Sequence, residues 1–296
     1  MSTKTVKLIV LLGVVFVSFS SILSKIATAP PLIIATYRLG FSVLLMLPVF
    51  LKHEKGILSK MTPKLWFLCS LSGVFLAFHF ATWLTSIKMT TIASATVLVN
   101  THPIFILFAT YFILKEKVSK KAMISIVIAF IGSIVITLGD STVGSHNLVG
   151  DLLAIAGGFF VAAYMLIGRF ARQHLSVTAY TFIVYGCCTI TLLIMDFITG
   201  TPLVGYPTSD YVIFISLAVF CTLLGHSVFN WALAYLKPTF VSSSILGEPV
   251  FATIWAIFIL NEIPSLYQII GGVIILAGIT LHIQAEPVDL AEESSF

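Results

Sequence analysis

The sequence predicts an all-α polytopic membrane protein: ten transmembrane helices, arranged as two inverted five-helix repeats around a central cavity. Three observations carry that expectation. Of 296 residues, 58% are hydrophobic and 9% charged, with a mean hydropathy of +1.09, whereas soluble domains use roughly 25% charged residues to cover their surface. The apolar residues fall into ten runs, each able to cross a ~30 Å hydrocarbon core as a helix. The second half of the chain also repeats the first at a nearly fixed offset.

The first run, 8–27, follows Lys4 and Lys7 and is too long for the apolar core of a cleavable signal peptide, so it reads as a span. Runs at 31–51, 65–87, 91–114 and 120–138 follow, then 149–171, 176–198, 211–235, 239–260 and 264–283. Pro, Gly, Asp and Lys mark several connections, as in "TAPP", "GDSTVGSHN" and "YLKPT". The connections are short, so function must sit within the bundle. The acidic, polar tail, 285–296, is expected to be disordered in the cytoplasm. Cys69, Cys187, Cys188 and Cys221 lie inside apolar runs without metal-ligand spacing and read as packing residues. No metal or other cofactor is expected. The net charge of +4 suggests nothing about nucleic acid; the expected partners are a small-molecule substrate and the lipid bilayer, with monomer or homodimer left open.

Charge sets the orientation. With ten spans, the termini share a side with the connections after spans 2, 4, 6 and 8, and that side collects 13 of the 16 Lys and Arg residues. The remaining three, Lys25, Arg38 and Lys88, lie within spans or near their outer ends. The positive-inside rule then places both termini in the cytoplasm, and a cell (inner or plasma) membrane is the expected location.

The repeat lays "HPIFILFATYFILKEKVSKKAMISIVIAFIGSIVIT" over "EPVFATIWAIFILNEIPSLYQIIGGVIILAGITLHI". A shift of 146 maps Pro103 onto Pro249, Phe105 onto Phe251, Leu114 onto Leu260, Glu116 onto Glu262 and Gly132 onto Gly278. Upstream the shift drifts by a residue or two, placing His79 near His226 and Trp83 near Trp231. Five spans per half is an odd number, so the halves, 1–139 and 148–284, enter the membrane from opposite sides. Inverted repeats place a site near the midplane at the junction of the halves, the architecture of secondary transporters.

On these residues the chain resembles the EamA-type members of the drug/metabolite transporter superfamily, over essentially its whole length. Glu248, Pro249, Ala252, Glu262, Gln268, Gly272 and Gly278 fill the places of the family's second-half pattern. Pro103, Glu116 and Gly132 fill the first-half places, but His102–Pro103 stands where Glu-Pro is expected, leaving one midplane carboxylate rather than two. The resemblance implies an inner-membrane carrier of small metabolites, often an exporter of amino acids or related compounds.

An ionised Glu near the bilayer centre costs about 2.5 kcal/mol or more, so Glu248 asks for a reason. It could balance a cationic group of a substrate or take up a proton as a carrier turns over; the alternative is a neutral acid bonded to a neighbouring helix. Pro249 and Pro103 are expected to kink their helices, Pro249 freeing the Ile245 carbonyl. His79 with Trp83, four apart on one helix face, and His226 with Asn230 and neighbouring Trp231, either line the cavity or hold helices together. His102 matches Glu248 in depth; Asn100, Tyr164 and Ser244 are weaker candidates, and Ser244 is equally able to bond its own backbone. Arg38 either snorkels outward or pairs with an acid or a substrate carboxylate. Lys25 and Lys88 read as interfacial anchors, and Glu116 and Glu262 as capped or paired helix ends. A cavity without clustered Lys and Arg argues against phosphorylated substrates.

The preferred reading is a secondary transporter of small amphipathic organic molecules, such as amino acids or amine-containing metabolites, with export favoured by resemblance alone. A passive channel or receptor-like membrane binder is the alternative. An intramembrane enzyme has least support: Asp140, Asp151, Asp196 and Asp210 sit at span ends, and no G-x-S-x-G motif occurs.

Overall fold

The computed structural model describes residues 3–89, 95, 98–116, 118–140, 148–260 and 264–285, with the side chains of Thr3, Lys25, Lys88, residues 136–140, Ala256, Leu260 and Gln268 outside that description. The expectations for Glu262, for the side chains of Lys25, Lys88 and Gln268, and for the tail beyond Ala285 therefore lie outside the described residues. Every regular element among the described residues is a helix.

The helices are α1 (Thr3–Val17), α2 (Phe19–Ile26), α3 (Pro31–His53), α4 (Ile57–Lys60), α5 (Pro63–Met89), α6 (His102–Phe112), α7 (Lys120–Asp140), α8 (Leu148–Ala171), α9 (Val177–Thr199) and α10 (Thr208–Ser216). A π-helical stretch, Leu217–His226, joins α10 to α11 (Ser227–Ala232), and α12 (Pro238–Ile245), α13 (Glu248–Leu260) and α14 (Leu266–Ala285) complete the chain. Among the described residues, seven helices are long and apolar enough to cross a membrane: Lys4–Ser24, Pro31–His53, Pro63–Ile87, Leu148–Ala171, Val177–Thr199, Thr208–Ala232 and Pro238–Ile259. His102–Phe112 and Ile269–Ala285 are shorter apolar helices. Helices close every backbone hydrogen bond within one segment, which is what lipid demands of a spanning element.

The helical winding is interrupted by a turn just before each of the two unusual prolines. Each sits in the first turn of a new helix, where its missing N–H leaves no bond unmade. The turns before them match bond for bond at the shift of 146. Thr101 N–H donates to Leu98 O (3.2 Å) as Gly247 N–H donates to Ser244 O (3.0 Å). Ile104 and Phe105 donate to Thr101 O, at 2.9 and 3.4 Å, as Val250 and Phe251 donate to Gly247 O, at 3.1 and 3.4 Å. The first span is likewise interrupted at Ser18, whose hydroxyl donates to Val15 O and accepts the Trp255 indole N–H at 2.9 Å.

α7 and α14 pack along their length, and glycine makes the approach possible. A Cβ on Gly132 would lie 2.8 Å from the Gly271 carbonyl oxygen and the Ile275 nitrogen; one on Gly278 would lie 2.6 Å from the Ala129 nitrogen. Ala129 and Ile275 are themselves one shift of 146 apart, so Gly132 meets Ile275 as Gly278 meets Ala129. Such reciprocity is the mark of a two-fold relation between packed surfaces. With no hydrophobic drive between helices in lipid, small residues that admit close backbone contact are how spans associate.

Polar contacts tie the bundle at its ends. At one end Lys7 Nζ donates to Ile283 O at 2.8 Å and lies 5.0 Å from the Phe240 ring centroid. There Arg169 also pairs with Glu116 at 3.3 Å, in line with the expected pairing of that helix end. At the opposite end buried Asp210, in the first turn of α10, accepts from Thr28 N (3.1 Å), Thr28 Oγ1 (2.8 Å) and Ala29 N (2.8 Å), closing the loop after α2 onto α10. The main core gathers residues from α1, α3, α5, α8, α9, α11 and α12. All four cysteines are free, three of them buried.

Candidate functional site

Four local devices converge on one interior cavity of about 60 Å³. α3 carries Arg38, α5 carries His79, Phe80 and Trp83, the π-helical stretch ends at His226, and α13 opens with Glu248. Asn100, from the turn before α6, and His102, the first residue of α6, complete the polar wall, and Ser20, Val17, Val99, Val161, Phe229 and Ile245 fill in around them. A water needs roughly 10–15 Å³ of such room, so the cavity holds a few waters or a very small ligand in this conformation.

Arg38 is 3% exposed, which excludes the outward-snorkelling reading. Its Nε donates to Thr222 Oγ1 at 2.8 Å and its Nη1 to Ser20 Oγ at 2.9 Å, while Nη2 is buried without a hydrogen-bond partner. The guanidinium lies 4.8 Å from the centroid of the Phe80 ring, a cation–π contact. Arg38 has no ion-pair partner among the described residues, so the expected pairing with an acid of the protein is not made. The π-helical winding places the Thr222 hydroxyl in reach of both Arg38 Nε and Leu217 O; π-helical stretches recur at functional sites.

Phe80 organises the histidines too: its centroid is 5.1 Å from that of His79 and 5.9 Å from that of His226. His79 also stacks on Trp83, at 6.0 Å and 7°. Its Nδ1 lies 2.9 Å from Gly157 O. A carbonyl only accepts, so Nδ1 carries the proton and Nε2 of the neutral ring is left as an acceptor. His102 holds Nδ1 3.3 Å from Val99 O, and its Nε2 is buried without a partner, as is the Trp83 indole N–H. Glu248 is half-buried at the start of α13, where the free N–H groups of a helix favour negative charge. It makes no hydrogen bond or ion pair among the described residues.

The cavity thus brings together Glu248, His79, Trp83, His102, His226, Asn100 and Arg38. It does not include the other candidates. Tyr164 donates to Asn230 Oδ1 at 2.7 Å, and Asn230 Nδ2 donates to the Tyr185 hydroxyl at 3.3 Å, so both are consumed in a buried network that joins α8, α9 and α11. Trp231 packs on Tyr235, at 5.0 Å between centroids. Ser244 donates to Phe240 O at 2.8 Å, the backbone alternative. Sequence reasoning missed Ser20, Phe80 and Thr222, for a serine, a phenylalanine or a threonine inside an apolar run gives no signal by itself.

Fold and site define a class: an all-helical, multi-pass membrane protein with a polar, partly unsatisfied cavity inside its bundle. The comparisons agree. Residues 5–138 and 148–284 match the EamA-like transporter family. An uncharacterized transporter of Archaeoglobus fulgidus is 29% identical over 294 residues, covering 95% of this chain and 98% of its own. The uncharacterized transporter YyaM of Bacillus subtilis is 26% identical over 254 residues, covering 83% and 82%. A crystal structure superposes with a TM-score of 0.76 at 17% identity, over 94% of this chain and 98% of its own, and shows the same fold. The chain belongs to the EamA-like transporter family.

Proposed function

We propose that the protein is a secondary transporter that moves small amphipathic organic metabolites, such as amino acids or amine-containing compounds, by alternating access around the cavity that Glu248 shares with Arg38. The observation that carries this reading is the origin of the cavity's polar wall. Arg38, His79, Trp83 and His102 come from the first half of the chain, and His226 and Glu248 from the second. A site built at the junction of two halves opens to opposite sides as the halves rock.

In this account the chain crosses the membrane ten times as two inverted five-helix units, 1–139 and 148–284. The Lys7–Ile283 contact supports an even number of crossings, since an odd number would separate the two ends. The matched turns before α6 and α13, and the reciprocal glycine contacts of α7 and α14, support the relation between the halves. Charge distribution supports cytoplasmic termini in a cell membrane. Export, rather than import, rests on the family resemblance, and a monomer suffices because both halves lie in one chain. Glu248 would receive the substrate's ammonium group or a coupled proton, with the indole and phenyl faces suited to its apolar part.

The test is flux in sealed liposomes carrying the purified protein. Saturable exchange of a proteinogenic amino acid or simple amine, abolished by Glu248→Gln in a variant that still folds, is the expected result. No saturable flux of any such compound from folded protein would overturn the proposal.

A further inference from the structure

Arg38 is buried within a spanning helix, and its side-chain hydrogen bonds and ring contact go to neutral groups: the hydroxyls of Ser20 and Thr222 and the face of Phe80. A buried cation without an anion is costly, and one partner removed from such a pair leaves several kcal/mol uncompensated. The guanidinium also keeps Nη2 free of any hydrogen-bond partner, in a cavity where the Trp83 indole N–H is a second donor without an acceptor. Both groups donate only. Two orphaned donors, one of them charged, on the wall of one small cavity describe a place for a group with lone pairs and negative charge.

The carboxyl group of the cavity does not fill that place. Glu248 lines the same cavity, but Arg38 makes its hydrogen bonds to Thr222 and Ser20 and none to Glu248. The Ser20 and Thr222 bonds hold Arg38 against α2 and the π-helical stretch, so the arrangement is fixed rather than free to swing towards α13. The cavity therefore presents two separate polar groups, a pinned cation on α3 and the Glu248 carboxyl at the start of α13.

We propose that Arg38, assisted by the Trp83 indole N–H, is an anion subsite that takes a carboxylate of the transported molecule while Glu248 takes its ammonium group. This rests on the transporter reading above and narrows it. An amine without a carboxylate leaves Arg38 uncompensated and is a poor ligand, and polyamines and quaternary amines are excluded for the same reason. The bound molecule also has a fixed polarity: its anionic end lies against α2 and α3, its cationic end against α13.

Thermal stabilisation of the purified, intact protein by each proteinogenic amino acid, measured beside the amine formed by its decarboxylation, tests this. The expected result is that an amino acid stabilises the protein while its amine binds at least about tenfold more weakly, as loss of a charge-assisted hydrogen bond implies. In Arg38→Gln that difference is expected to vanish; should this variant fail to fold, the wild-type comparison decides alone. An amine that stabilises as well as its parent amino acid overturns the anion subsite and leaves the transporter reading standing. If no amino acid and no amine stabilises the folded wild-type protein, the underlying reading of the cavity falls, and the subsite with it.

Discussion

Lys7 Nζ donates to the Ile283 carbonyl oxygen at 2.8 Å, fastening the first helix to the last at one end of the bundle. In the proposed topology the chain returns to the side it started from. In a background freed of the native cysteines, Ser2→Cys and Ser294→Cys should react with a membrane-impermeant maleimide only when the cytoplasmic face is open, and both alike. A variant labelled from outside would contradict the account of the topology.

The glycines of α7 and α14 give paired predictions of sign. Gly132→Ala and Gly278→Ala place a Cβ within 2.8 Å of backbone atoms across the contact, so each should destabilise by about 1–3 kcal/mol. Gly272→Ala on α14 meets nothing closer than 3.8 Å. It should be neutral or stabilise by up to about 1 kcal/mol, as alanine does in a helix. Thermal unfolding in detergent reads all three.

Tyr164→Phe removes the donor to Asn230 and leaves a buried amide oxygen unpaired. The expected cost is about 1–3 kcal/mol of stability. Ligand affinity should be unchanged, because neither residue lines the cavity. A weakened ligand affinity in a stable variant would return Tyr164 to the site.

Asp210→Ala deprives Thr28 and Ala29 of their acceptor. Bonds to a charged group contribute about 1.5–3 kcal/mol each at most, so a loss of several degrees in melting temperature is expected. Asp210→Asn keeps one acceptor oxygen and should lose less.

Much of this was legible in the sequence, for physical reasons. Apolar runs and lysine placement follow from the cost of putting charge in lipid, so the helical membrane class could be read directly. The shift that pairs Gly132 with Gly278 is visible because those positions tolerate nothing larger. Glu248, Arg38 and His79 stood out because polar groups at such depth need a reason. Composition does not report orientation around a helix axis, so it left two roles open for Asn230 and Trp231, which neighbour His226 in sequence; Asn230 joins the core network and Trp231 packs on Tyr235. The prolines signalled an interruption of the winding, but not the form of the turns before them, at Thr101 and Gly247, which no residue type announces. The π-helical stretch that presents Thr222 and His226 was hidden for the same reason.

The central claim is that the cavity between the halves opens to each side of the membrane in turn. Val161, on α8, lines that cavity and is 7% exposed. A Val161→Cys variant of otherwise cysteine-free protein, reconstituted in one orientation, should react with a small charged thiol reagent supplied from either side alone. Reaction from only one side, under conditions where transport proceeds, would contradict the account.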